Sequence, residues 1–294
     1  MAKKHTKSLP AISIVGPGNL GSALAVDLTL RGYPVRHIVS RRALSHRPAK
    51  ALARRINAAH LLIGTQPLET DIVWITVPDD AIATVAAQLA PSQPWKGKVV
   101  LHSSGALASD ELSALKKKGA SVASAHPMMT FIRGRRAQWR GVPFDIEGDA
   151  AAVEAAYSIA SALGASPYIL EKRHKALYHA FGSFASPLII ALMSAMEQVA
   201  EAAGIPSQKA KEMVWPLLSR TLDNYRKKDA TRAFSGPLMR GDVKTVRRHL
   251  VQMKRTPEAR AVYLTLARAA VELLPVKNRA ALKKELERNS ERRR

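Results

Sequence analysis

Between Leu9 and about Leu170, short runs of β-branched and apolar residues alternate with alanine-rich stretches in which apolar positions recur at helical spacing. The pattern predicts strands near 11–15, 35–40, 72–77, 99–102, 121–125, 143–146 and 167–170, and helices over 19–30, 47–58, 79–89, 109–118 and 150–163. Strands separated by helices need crossover connections, so the expectation is an α/β fold with a doubly wound parallel sheet. Past Leu170 no run reads as a strand and the chain turns helical. One long helix is predicted over 173–203, kinked by Pro187 and ended by Gly204, a residue free to take the left-handed cap conformation. Ser207 and Asp242 are expected as N-caps, and Thr256-Pro257-Glu258 as a further helix start. These features divide the chain into an α/β domain over 8–170 and an all-α domain over 171–294.

The first predicted strand runs into Gly16-Pro17-Gly18-Asn19-Leu20-Gly21. Glycines at these three offsets, between a strand and a helix, are what a diphosphate-holding turn requires. The first bends the chain, the second lets phosphate oxygens approach the backbone, and the third lets helix and strand pack closely. The helix start then directs free N–H groups at the anion. About twenty residues on, where an acid would pair with ribose hydroxyls, the second strand instead ends in Ser40 followed by Arg41 and Arg42. A hydroxyl and two guanidiniums suit a 2′-phosphate, so NADP(H) is expected over NAD(H).

The chain has no cysteine, which excludes disulfides and thiolate chemistry, and its N-terminal stretch has no apolar signal core. The apolar stretch from Ala176 to Ala203 is interrupted by His179, Ser183, Ser186, Glu197 and Glu201, so a cytoplasmic protein with no membrane span is expected. A formal charge of +23 raises the question of polyanionic partners. Arg41, Arg42, Arg47, Lys50, Arg54 and Arg55 form one basic cluster, and Arg133, Arg135, Arg136 and Arg140 another. No nucleic-acid-binding motif accompanies them, so nucleic acid is not the expected partner and phosphate esters are.

In such a sheet, ligands gather beyond the carboxyl ends of the strands. Those ends carry Val77-Pro78-Asp79, expected to line the cofactor groove; His102-Ser103-Ser104-Gly105, beside the expected nicotinamide; and His126-Pro127. Asp79 or Asp80 also reads as a helix cap. Lys175, His179, Gly182 and Ser186 share one face of the long helix, with Leu177, Phe181, Phe184 and Leu188 left for packing elsewhere. Lysine and histidine one turn apart can exchange a proton with a substrate oxygen and hold it. Arg240, in the turn Gly236 to Asp242, is a further candidate for an anionic substrate.

Together, GPGNLG, TVPDDAI (76–82), HSSGAL (102–107), AHPMMTF (125–131), FDIEGD (144–149), KALYHAFGSFAS (175–186) and GPLMRGD (236–242) resemble the family that joins a Rossmann-like domain to a DUF2520 domain. Its relatives include ketopantoate reductase, pyrroline-5-carboxylate reductase and the β-hydroxyacid dehydrogenases. The resemblance implies a Rossmann-type sheet followed by a helical domain like the C-terminal domain of 6-phosphogluconate dehydrogenase, and a homodimer formed through it. It also implies an NADP(H)-dependent oxidoreductase acting on a small carbonyl, imine or hydroxy acid. By that likeness Lys175 and His179 match a lysine and asparagine pair, histidine replacing the asparagine, while Ser103, Ser104 and Gly105 match a carboxylate-holding loop. His126 would help hold the substrate. The alternative expectation is an NADPH-binding sensor or scaffold without catalysis.

Overall fold

The computed structural model describes residues 8–41, 46–132 and 135–291; Arg42 and Arg133 lie outside them. The chain forms two compact units, one through Ser183 and the other from Phe184.

The first unit contains β1 (Ile12–Val15), α1 (Asn19–Leu30), β2 (Val35–Ser40), α2 (His46–Arg55), β3 (Ala59–Leu62), β4 (Ile72–Ile75), α3 (Ile82–Leu89), β5 (Val99–His102), α4 (Ser113–Lys116), β6 (Ser121–Pro127), β7 (Pro143–Gly148), α5 (Ala150–Leu163), β8 (Ser166–Ile169) and α6 (Lys175–Ala185). Its eight strands form one sheet in the order β3-β2-β1-β4-β5-β6-β7-β8. The order reverses at β1, the switch point where such sheets open a crevice at their carboxyl ends.

Alternation along the strands supplies two cores. Ile12, Ile14, Ile38, Trp74, Phe144 and Ile146 face one side with Leu24 and Leu28 of α1. Val15, Val39, Val73, Ile75 and Val100 face the other with Ile82, Val85 and Trp95.

The sheet is not wholly parallel. β7 pairs antiparallel with β6, and β8 is parallel to β7, so these two run against the other six. Among the described residues between β6 and β7 no helix carries the chain back, and the neighbouring strand runs the other way. That loop is fastened to α1: the Trp139 indole donates to buried Asp27 at 2.8 Å, and Asn19 Nδ2 donates to the Phe131 carbonyl at 3.0 Å.

β3 was not anticipated. It follows α2 directly, because Asn57 takes a left-handed conformation (φ 56°) and ends that helix short of the expected 58.

The second unit is helical: α7 (Pro187–Ala202), α8 (Ser207–Lys227), α9 (Ala230–Ala233), α10 (Pro237–Arg240), α11 (Val243–Gln252), α12 (Pro257–Leu273) and α13 (Arg279–Glu291). Val246, Leu250, Leu264, Val271, Leu282 and Leu286 form its core.

The single kinked helix expected over 173–203 is instead broken into α6 and α7 at Ser186 (φ −125°, ψ −81°). Pro187 clashes with a helical conformation at the residue before it and becomes the first residue of α7. The compact sheet unit also extends past the expected boundary at 171, because Lys175 of α6 is buried against β7.

Asp242 caps α11 as expected, accepting from the Thr245 N–H at 3.1 Å. Ser207 does not cap α8. It is the first helical residue, and its hydroxyl donates to Glu197 at 2.8 Å.

Lys172–Ala202 is, among the described residues, the one helical stretch long and apolar enough to cross a membrane by length and composition. Its apolar side chains Leu177, Phe181, Phe184, Leu188 and Ile190 are exposed.

Candidate functional site

The first half of the site is the turn after β1. Gly16 (φ 93°) bends the chain beside β2, its N–H donating to the Val39 carbonyl, and Val77 presses on it so closely that a Cβ on Gly16 would lie 2.6 Å from Val77 Cγ1. Pro17 accepts from the Ser22 hydroxyl and so closes the turn onto the first turn of α1.

At Gly21 a Cβ would lie 2.4 Å from both the Gly16 carbonyl oxygen and Thr76 Oγ1, whereas at Gly18 nothing lies within 4 Å. The turn is therefore packed beneath Gly21 and open above Gly18. No side chain caps α1, so the N–H groups of Asn19, Leu20 and Gly21 lead the helix. This donor set fits a diphosphate.

The neighbouring 2′-phosphate candidates fare unevenly. Ser40 is buried and its hydroxyl is bonded to His60 Nε2 at 2.9 Å, so it faces inward rather than toward a ligand. Arg41 follows it at the surface, and Arg42 lies outside the described residues.

At the end of β4, Pro78 opens a short 3-10 turn. Neither Asp79 nor Asp80 caps the helix by a side-chain bond. The Asp79 carboxylate instead accepts from the Ser104 hydroxyl at 2.8 Å.

Ser104 also accepts from the N–H groups of Ala106 and Leu107, which occupies its hydroxyl completely. It organises the β5 loop and has nothing left for a substrate, contrary to the expectation. Ser103 is freer. Its oxygen accepts from the Trp74 indole at 2.8 Å, and its proton remains to donate.

His102, expected at the cofactor, is fully buried. Its Nε2 donates to the Ala108 carbonyl and its Nδ1 accepts from the Ser104 N–H, so both nitrogens are used within the loop. Burial lowers its pKa from 6.5 to about 4. Above pH 6.5 His102 is neutral in both folded and unfolded chains. Between 6.5 and 4 the unfolded chain takes up a proton that the folded one refuses, so stability falls as the pH drops. The expected loss is about 2–3 kcal/mol between pH 6.5 and 4.5. Urea unfolding at the two pH values should reveal it, with a shallower dependence in His102→Gln; equal slopes would refute the assignment.

The second half of the site lies at β6, β7 and α6. His126 and Asp145 are direct partners in the antiparallel pairing, and His126 Nδ1 lies 2.9 Å from Asp145 Oδ1. The other carboxylate oxygen receives Lys175 Nζ at 2.9 Å. Asp145 is 0% and Lys175 1% exposed at the side chain, against 17% for His126.

Lys175, expected to carry the proton, is thus sealed in a buried ion pair. One turn on, exposed His179 meets His126 edge to face at 5.8 Å between ring centres. Both rings crowd Gly105, where a Cβ would lie 2.5 Å from His179 Cδ2 and 2.9 Å from His126 Nε2. Gly182, on the same helix face, lies against Met128.

Tyr178 packs edge to face on His126 at 6.4 Å, and on Tyr168 at 5.7 Å. Burial raises the pKa of both phenols, and neither hydroxyl has a hydrogen-bond partner of normal geometry among the described residues.

Lys175 and His179 of one helix face, His126 of a strand end and Gly105 of the β5 loop are therefore gathered together, with Asp145 added. His102 and Ser104 are turned away. Arg240 ends α10 in the other unit and is exposed. Asp145 was missed although the FDIEGD segment was noted. Nothing in the sequence marked it, because an acid alternating with apolar residues on a strand reads as solvent-facing.

The chain matches the Rossmann-like domain over residues 4–127 and the domain of unknown function DUF2520 over 142–270. It belongs to the family that joins these two domains. No curated protein matches the chain.

Among solved structures it resembles a candidate NADP oxidoreductase from Bacteroides fragilis at 19% identity and a TM-score of 0.74, over 89% of this chain and 98% of that one. An imine reductase from a Pseudomonas species is similar at 22% identity and 0.65, over 95% and 99%. A reductive aminase from Aspergillus terreus, solved with NADPH, cyclohexanone and allyl amine, is similar at 16% identity and 0.63, over 94% and 98%. At these identities the likeness establishes the fold.

Proposed function

We propose that this protein is an NADP(H)-dependent oxidoreductase that interconverts a small, anionic carbonyl or imine compound with its reduced form, a hydroxy acid being one such product. The observation that carries the reading is that an uncapped helix start behind an open Gly18 and a paired imidazole cluster around Gly105 stand at the carboxyl ends of strands of one sheet. When bound, the nicotinamide supplies or accepts the hydride. The backbone of Gly16 to Gly21 would hold the diphosphate, with Val77 and Pro78 beside it and Arg41 toward the 2′-phosphate. Ser103, His126 and His179 would meet the substrate. The cofactors of the similar solved structures support this reading. The exposed apolar side chains of α6 and α7, with Met213, Trp215 and Leu217 of α8, support a homodimer.

Calorimetry with NADPH and NADH tests the reading. NADPH is expected to bind more tightly, and Arg41→Ala to weaken it about tenfold while leaving NADH unchanged. Equal response to both, or to neither, would overturn it. Saturable NADPH binding without turnover on any small oxo acid or imine would instead assign a sensor.

A further inference from the structure

We propose, building on that oxidoreductase reading, that His126 Nε2 exchanges the proton with the substrate oxygen, that Asp145 is its positioning residue, and that Lys175 is a buried counter-charge. The ammonium of Lys175 is enclosed 2.9 Å from Asp145, and a proton sent from it to a ligand would leave that carboxylate buried without its partner. His126 has the opposite surroundings. A carboxylate only accepts, so the nitrogen 2.9 Å from Asp145 Oδ1 must carry a hydrogen. Nε2 is then a lone pair in the neutral ring and an N–H in the imidazolium. This nitrogen lies toward Gly105, where even a methyl group would stand only 2.9 Å away, and the side chain keeps 17% exposure. The exposed remainder of the side chain is where a substrate atom would approach and where solvent exchanges the proton.

The groups facing the ring are Asp145 from β7 and Tyr178 and His179 from α6, with Lys175 of α6 behind Asp145. Lys175 balances the Asp145 charge, while Tyr178 and His179 stand edge-on and limit ring rotation. In reduction, with hydride from the reduced dinucleotide joining the carbonyl carbon, the C=O π pair becomes an O–H bond to the proton leaving Nε2. The ring is left neutral with Nδ1–H on Asp145, and solvent restores the proton. Oxidation runs the same step backwards, the alcohol proton passing to Nε2.

The test uses full-length protein labelled with ¹⁵N-histidine, with His126→Gln locating the His126 signals. At a pH high enough to leave the ring neutral, long-range ¹H–¹⁵N spectra of the wild type should show His126 with Nδ1–H only. Lys175→Met/Asp145→Leu, which offers no acceptor, should give mixed tautomers. NADPH affinity by calorimetry should stay within about threefold of wild type in His126→Gln. On a panel of small oxo acids and imines with NADPH, His126→Gln should lose about 100-fold or more in kcat. Lys175→Arg, which keeps the counter-charge on a side chain that does not give up its proton, should stay within about tenfold of wild type, well short of the loss expected for a missing general acid. An Nε2–H tautomer in the wild type, or a loss in this last variant matching that of His126→Gln, overturns the proposal alone. Intact NADPH binding with no turnover on the whole panel overturns the oxidoreductase reading and the proposal together. The wild-type spectrum and His126→Gln remain decisive if a double variant fails to fold.

Discussion

Lys175→Met is expected to lower the unfolding free energy of the sheet unit by about 3–5 kcal/mol, the usual consequence of removing one partner from a buried ion pair. Both side chains are almost completely enclosed, so water cannot replace the lost ammonium. The remaining carboxylate keeps its contact with His126 but loses the charge that offsets it. Lys175→Met/Asp145→Asn removes both charges and should recover most of the loss, because a neutral buried pair has little desolvation to overcome. Urea unfolding followed by tryptophan emission is a suitable measurement, since Trp74, Trp95 and Trp139 are all buried in this unit. A single-variant loss below about 1 kcal/mol, in the range of an exposed pair, would mean that the pair is open to solvent.

The glycine turn supports the second large expectation, in which two neighbouring substitutions separate folding from binding. Gly21→Ala places a methyl group 2.4 Å from a backbone carbonyl and from Thr76 Oγ1, itself held by the Gly16 carbonyl at 2.7 Å. Neither neighbour can yield without deforming the turn, so about 1–3 kcal/mol of stability should be lost, and NADPH binding with it. Gly18→Ala meets nothing within 4 Å and should leave the melting temperature almost unchanged. If the diphosphate lies over Gly18, that same methyl group occupies the ligand's place and affinity falls by on the order of 100-fold. Calorimetry beside thermal melts distinguishes the two variants. Unchanged NADPH affinity in Gly18→Ala would remove the turn from the cofactor site.

Much of this was readable in the chain because it is encoded locally. Three glycines at fixed offsets specify a turn whatever surrounds it, and the alternation of strand and helix patterns places the carboxyl rim. His126 and Lys175 could be placed at a strand end and on one helix face for the same reason, both being local properties. What escaped depends on pairings distant in sequence. Asp145 sits in FDIEGD, where acids alternating with apolar residues read as a solvent-facing side; only the packing of Lys175 of α6 on it shows that this side is covered. Lys175 reads as an available base until Asp145 is placed opposite it. His102 and Ser104 read as donors at a rim, and become interior braces only when the β5 loop folds back on Ala108 and Asp79. The break at Ser186 was foreshadowed by Pro187 but understated as a kink.

The cross-strand placement of His126 against Asp145 ties the chemistry to the register of the sheet. Displacing β7 by a single residue along β6 would swing its acidic side chains to the opposite surface and strand the imidazole without its acceptor. A sheet without this pairing therefore cannot hold a working site, and one contact between neighbouring strands both sets the scaffold and arms it.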